Sequence, residues 1–258
     1  MIYDVLGEYK KYLAQSLSKA TVQTYGNRLE WLLKDQSILD IENGFDIQPV
    51  LQSLQRIKYK NEFSQYKNAL LYFLQFKNIP LSEEQSMLIK SYEENTKKKY
   101  RKQTVIDYES IKNKITHIRN KKLKLSYQTM LSTGLRVFEL SQIKKNDCII
   151  NSDNLRISFI GKGGKKETVK ILKQDDIKIF DELMDYINKL ESNDRLFYSV
   201  NYLQQQAEEL GFHCHDLRRI CAKLEYKKTK SKARVKSKLR HANIKNTNRY
   251  LKSKIKGV

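Results

Sequence analysis

Apolar residues recur at helical spacing through residues 1–95. Ile2, Val5, Leu6, Tyr9, Tyr12 and Leu13 fall on one face of a first helix, and Val22, Tyr25, Leu29, Leu32 and Leu33 on one face of a second. Side chains three and four apart share a side of a 3.6-residue turn, so each stripe predicts a helix with a buried face. Ser18 stands where the second helix needs an N-cap. A third helix is expected near Asp46, with Pro49 tolerated in its first turn. Phe63, Tyr66, Leu70, Leu71 and Leu74 mark a fourth, Pro80 interrupts, and Ser82 with Gln85 forms a capping-box pattern for a fifth. The stripes read as core packing, so residues 1–95 should form a small helical bundle.

Residues 96–104 carry a basic cluster without apolar periodicity and read as an interdomain linker. Helices follow, and then the period changes. Ile149-Ile150, Leu155 to Ile160 and Thr168 to Leu172 look like strands, joined by turns at 151–154 and 161–165. Helices resume near Asp175 and run to the end, with Gly211 as a helix stop. The expected fold is mainly α with a small antiparallel β-sheet: a helical domain over 1–95 and a larger mixed domain over 105–258.

Charge narrows the function. Fifty Lys and Arg against 29 Asp and Glu leave +21, an excess that repels itself unless a polyanion relieves it. Nucleic acid is the first candidate, because phosphates neutralised by Lys and Arg release bound counterions. An anionic membrane surface is the second. No apolar run approaches the ~18–20 residues of a transmembrane helix, and the first residues, Met1-Ile2-Tyr3-Asp4, do not read as a secretory signal. Cys148, Cys214 and Cys221 are an odd, sparse set that fits a reducing cytoplasm. The cluster His213-Cys214-His215 with Cys221 lacks a zinc-ligand spacing, so no metal is expected there.

The chemistry gathers near the end of the chain. From Leu217 to Val258, Glu225 is the one acidic residue against sixteen Lys or Arg, with Tyr226, Thr229, Ser231, Ser237, Thr247 and Tyr250 interleaved. His215 and Arg218, in His215-Asp216-Leu217-Arg218, share a helix face. Leu239-Arg240-His241 follows, and Tyr250 comes nine residues after His241. Upstream, in Thr133-Gly134-Leu135-Arg136-Val137-Phe138-Glu139-Leu140, Gly134 ends one helix and Arg136 begins the next, with Glu139 one turn on. Gly161-Lys162-Gly163-Gly164-Lys165-Lys166 sets lysines at a hairpin tip.

At these residues the chain resembles the tyrosine recombinase family (phage integrase, Xer-type). The family hallmarks are an arginine in T-G-L-R-x-x-E-L, a hairpin lysine, an H-x-x-R pair, a second histidine and a tyrosine nucleophile. Arg136, Lys162, His215, Arg218, His241 and Tyr250 fill them in order. The segment Leu17 to Tyr25 looks like the start of the family's core-binding domain, which is SAM-like and helical. Two positions depart from the pattern: Arg219 stands where many members have a histidine, and Arg240 where glycine is usual. The latter places a cation at the start of the His241 segment, as a phosphate contact or a change in how that segment begins.

The resemblance implies a site-specific recombinase, cytoplasmic and nucleoid-associated, that cleaves and rejoins double-stranded DNA through a 3′-phosphotyrosine. It implies a homo-oligomer on DNA, dimer to tetramer, sometimes with an accessory DNA-bending protein, and no cofactor. Negative charge developing on phosphate oxygens suits two guanidiniums, which the resemblance assigns to Arg136 and Arg218, with His241 adding a hydrogen bond. A phenol is protonated and weakly nucleophilic at neutral pH, so Tyr250 needs a base, and His215 is the candidate. Lys162 is implied as the acid for the departing 5′ oxygen, with Lys165 or Lys166 as alternatives. Glu139 orients the pocket from behind Arg136. A DNA-binding protein of the same fold without catalysis, or a type IB topoisomerase, would share many of these features; dependence on Tyr250 and on two sites separates them.

Overall fold

The computed structural model describes residues 2–34, 45–98, 105–161 and 164–258. It divides the chain into two compact units, Met1–Lys102 and Gln103–Val258.

Among its described residues the first unit is built from helices: α1 (Ile2–Ala14), α2 (Lys19–Leu33), α3 (Gln48–Gln55), α4 (Lys60–Phe76) and α5 (Glu83–Glu94). Local chemistry sets their starts. Ser18 accepts from the Thr21 N–H. Asp46 Oδ1 accepts from the Gln48 N–H at 2.9 Å. At α5, Gln85 N–H donates to Ser82 Oγ (3.1 Å) and Ser82 N–H to Gln85 Oε1 (3.0 Å), the full capping box. The stripes meet in one core of Tyr9, Leu13, Leu29, Leu54, Phe63 and Phe73, each at 0% exposure. Tyr9 meets Phe73 edge-on at 5.8 Å, and its hydroxyl, buried with the ring, donates to Ala69 O at 2.8 Å. Leu71, read as part of the α4 stripe, is 39% exposed, because the buried face there runs through Phe63, Tyr66, Leu70, Phe73 and Leu74. Within the segment read as a linker, Lys97 is hydrogen-bonded through its backbone to Lys58 and Lys60; positions 99–104 lie outside the described residues.

The second unit opens with β1 (Ile106–Asp107), α6 (Tyr108–Thr116), α7 (Lys121–Thr133) and α8 (Val137–Ser141). An antiparallel sheet follows, β2 (Cys148–Ile150), β3 (Asn154–Ile160) and β4 (Lys166–Leu172), in that order. Leu155 pairs with Ile171 and Ile157 with Val169, so the alternating apolar residues of both strands face one core. Then come α9 (Ile177–Asn188), α10 (Val200–Glu209), α11 (Cys214–Thr229), α12 (Lys232–Lys238) and α13 (Ile244–Leu251). Gly211, at φ 76, closes α10. Helices do not persist to the last residue. The chain ends in β5 (Ile255–Lys256), which pairs in parallel with β1. Such short strands are set by a distant partner and leave no period in the sequence.

The chain has one tryptophan, Trp31, packed 5.0 Å from the Tyr66 ring. Its fluorescence therefore reports on the first unit. Phe73→Ala should destabilise that unit by about 3–5 kcal/mol, the usual cost of a large cavity in a full core. Urea unfolding followed at Trp31 checks this; a shift below ~1 kcal/mol would contradict the packing described.

Candidate active site

Three helix ends converge in the second unit. Gly134 closes α7 in a left-handed conformation (φ 65), with its N–H bonded to Met130 O at 2.8 Å. A Cβ there would stand 2.5 Å from Leu239 Cδ2 and 3.2 Å from Cys221 Sγ, so both the backbone and the space demand glycine. Reversal at Gly134 lets Arg136 start α8, where Glu139 reaches back to accept the Arg136 N–H at 2.8 Å and also binds its guanidinium. Glu139 is 1% exposed. Burial raises its pKa, but its backbone and side-chain bonds to Arg136, with the charges of Arg136 and Arg240, outweigh this and leave the carboxyl ionised, below its usual range.

The first turn of α11 carries His215 and Arg218. Asp216 accepts the His213 N–H at 3.0 Å, fixing the start of that helix. Arg218 is 1% exposed, and its Nη1 and Nη2 donate to the carbonyls of Gly134 and Leu239. Its Nε is buried without a partner among the described residues. Arg136, His215 and Arg218 line one cleft of about 580 Å³, together with Leu135 and the exposed Phe138.

The α12 end completes the site. Arg240 N–H bonds to Ser237 O and His241 N–H to Lys236 O, the paired bonds of a Schellman turn. This turn delivers His241, 5% exposed, beside α13. There Thr247, fully buried, places Oγ1 3.0 Å from His241 Nδ1. One turn later, Tyr250 places its hydroxyl 2.7 Å from His215 Nε2. The phenol ring stands edge-on between the two imidazoles, 5.2 Å from His215 and 4.9 Å from His241, with the Arg218 guanidinium 6.0 Å from its centre.

Five of the six residues singled out in the sequence thus share one site: Arg136, His215, Arg218, His241 and Tyr250. Lys162 lies outside the described residues; Lys165 and Lys166 are exposed at the hairpin. Thr247 was not singled out as a site residue, although its place one turn before Tyr250 on the same helix was a usable signal. Arg240 does not point outward. It pairs with Glu139 and with Glu167 on β4, at 3.3 and 3.0 Å. Cys214 and Cys221 turn their thiols to the Leu203 and Ser132 carbonyls.

Both histidines sit in cationic surroundings. Burial, then Arg218, Arg136 and Arg240, push the His241 pKa down to about 4. Burial against its neighbours, then Arg219 and Arg218, push His215 down to about 4 as well. The His215 side chain is nonetheless exposed to solvent, which screens these effects. Both imidazoles are neutral at pH 7.

Residues 105–256 match the phage integrase family. No curated protein sequence matches the chain. Among solved structures it is similar to XerH site-specific recombinase bound to difH substrate in a pre-cleavage complex, with 19% identity, a TM-score of 0.67, and 95% of this chain and 91% of that chain covered. It is also similar to a lambda integrase fragment, 75–356, as a dimer bound to a COC' core site: 16% identity, TM-score 0.67, 97% and 95% covered. A third likeness is to a lambda integrase tetramer bound to a Holliday junction, with 15% identity, TM-score 0.67, 98% and 78% covered. At these identities the likeness is one of fold.

Two expectations follow. Proton NMR should find both imidazoles titrating well below the ordinary ~6.5. Between ~6.5 and about 4 the unfolded chain then binds protons that the folded chain does not, so stability should fall as pH falls through that window. Titration midpoints at or above ~6.5 would contradict the site's electrostatics. Gly134→Ala should cost about 2–4 kcal/mol in urea unfolding, combining left-handed strain with overpacking against the buried Leu239.

Proposed function

Since the chain belongs to the phage integrase family of tyrosine recombinases, we propose that it cleaves and rejoins double-stranded DNA with Tyr250 as nucleophile. The observation that carries this reading is the 2.7 Å contact between the Tyr250 hydroxyl and His215 Nε2. A neutral imidazole offers Nε2 as a proton acceptor, and the cationic neighbours that keep His215 neutral serve that purpose.

In the proposed reaction the Tyr250 oxygen attacks the scissile phosphorus while its proton passes to His215 Nε2. A phosphorus–phenol bond forms, and the bond to the 5′ oxygen breaks. Arg136, anchored by Glu139, and Arg218, anchored by two carbonyls, present N–H groups to the non-bridging oxygens. His241 donates from Nε2 when its Nδ1 accepts the Thr247 hydroxyl proton across their 3.0 Å contact. The departing 5′ oxygen takes its proton from Lys162, with Lys165 or Lys166 as substitutes on the same hairpin. Attack by another strand's 5′ hydroxyl reverses every step. The bond energy is stored in the phosphotyrosine.

The helical first unit is assigned a second DNA-contacting surface, the role of a SAM-like core-binding domain over 1–95, with 96–104 joining it to the catalytic domain over 105–258. Assembly on DNA as a dimer to tetramer is supported by the likeness to DNA-bound dimers and tetramers. The net charge of +21 supports DNA as the partner. Among the described residues no helix is long and apolar enough to cross a membrane.

The test uses nicked suicide duplexes, selected from a random pool by their binding to the protein. The wild type should trap a 3′ covalent adduct that Tyr250→Phe abolishes. Arg136→Ala should slow adduct formation by about 10²–10³, as removal of a preorganised donor does elsewhere. An adduct that survives Tyr250→Phe removes Tyr250 from the nucleophile role. DNA affinity should also fall steeply with salt, through counterion release.

A further inference from the structure

Arg240 occupies the left-handed position (φ 53) that closes α12, where a Cβ is disfavoured. The backbone bonds of that turn, Arg240 N–H to Ser237 O at 2.9 Å and His241 N–H to Lys236 O at 3.0 Å, would be made equally well by glycine. The reason for an arginine must lie in its side chain, which is only 12% exposed.

That side chain is turned inward. Nη2 donates to Glu139 Oε2 at 3.3 Å and Nη1 to Lys238 O at 2.9 Å, while Nε lies at ion-pair distance, 3.0 Å, from Glu167 Oε2 without the alignment of a hydrogen bond. Its guanidinium carbon stands 5.1 Å from the centre of the Phe159 ring. Phe159 and Glu167 are partners across β3 and β4, at the strand ends next to the hairpin turn. Glu139 is the carboxylate that holds Arg136. One guanidinium therefore touches both the anchor of Arg136 and the base of the hairpin.

We propose that Arg240 is a positioning residue for strand cleavage: it shares Glu139 with Arg136 and fastens the β3–β4 strand ends to the same point. Sharing matters electrostatically. A carboxylate held by Arg136 alone would cancel that charge; one divided between two guanidiniums orients Arg136 and leaves it cationic toward a phosphate. This inference rests on the recombinase reading, and Arg240 acts through Arg136 and the hairpin rather than on reacting atoms.

Two measurements on the full-length chain test it. In the DNA-free protein, nitrogen-15 relaxation of the Arg136 Nε–H should show an ordered side chain in the wild type and a mobile one in R240G. On the selected suicide duplexes, R240G should bind as the wild type does. Its adduct should form more slowly at saturating DNA by a factor on the order of 10 to 10², the range that small misplacements of reacting groups cost. R240K keeps the charge but loses the fork and should fall between. Should R240G fail to fold, E167Q, which removes one of the two ion pairs, should show a smaller loosening of Arg136. Equal Arg136 order in variant and wild type, or equal cleavage rates at saturating DNA, overturns the proposal. If the wild type forms no adduct while Arg136 still loosens in R240G, the recombinase reading falls and the positioning role stands.

Discussion

The site depends on a cation set into the wall of the cleft and almost wholly removed from solvent. Burying the Arg218 guanidinium costs several kcal/mol of lost hydration. The compensation comes from two backbone carbonyls, those of Gly134 and Leu239, each at the C-terminal end of a helix and so at the negative end of its dipole. The same two bonds tie α11 to the ends of α7 and α12. Both carbonyls are presented by chain reversals with a left-handed residue, Gly134 in one case and Arg240, directly after Leu239, in the other. Backbone geometry, helix packing and the charge of the cleft are therefore one problem with one solution.

Around that centre the electrostatics are sorted by burial. Glu139 and Glu167 keep Arg136 and Arg240 from simply repelling one another, while the two histidines, surrounded by positive charge, stay neutral. A neutral imidazole can take or present a proton where an imidazolium could only donate. Cationic surroundings thus do two jobs with the same residues: they attract a phosphodiester and they set the protonation state of the groups beside Tyr250.

Much of this was legible from residue order. Helix stripes, the Ser18 and Ser82 caps, the strands between 148 and 172 and the Gly134–Arg136 reversal all express local rules, and local rules are written locally. Five of the six residues that the family resemblance singled out for chemistry meet in one place, although helix-turn spacing by itself brings together only His215 and Arg218. The rest depended on contacts between distant positions. The β1–β5 pair joins two-residue segments some 150 positions apart in the chain. The inward turn of Arg240 depends on Glu139 and Glu167 together, and nothing near position 240 announces either. Leu71 looked like its neighbours in the α4 stripe; only the packing of the other helices shows which side of α4 is covered.

The β1–β5 pairing has a topological corollary. It lays Ile255 beside Ile106 and Lys256 beside Asp107, running the same way, and Gly257 continues against Tyr108 and Glu109. The chain after Tyr250 is thereby tethered to the first strand and helix of the same unit. The short helix that carries the phenol is thus held on both sides, by its Asn243 cap before it and by this pair after it.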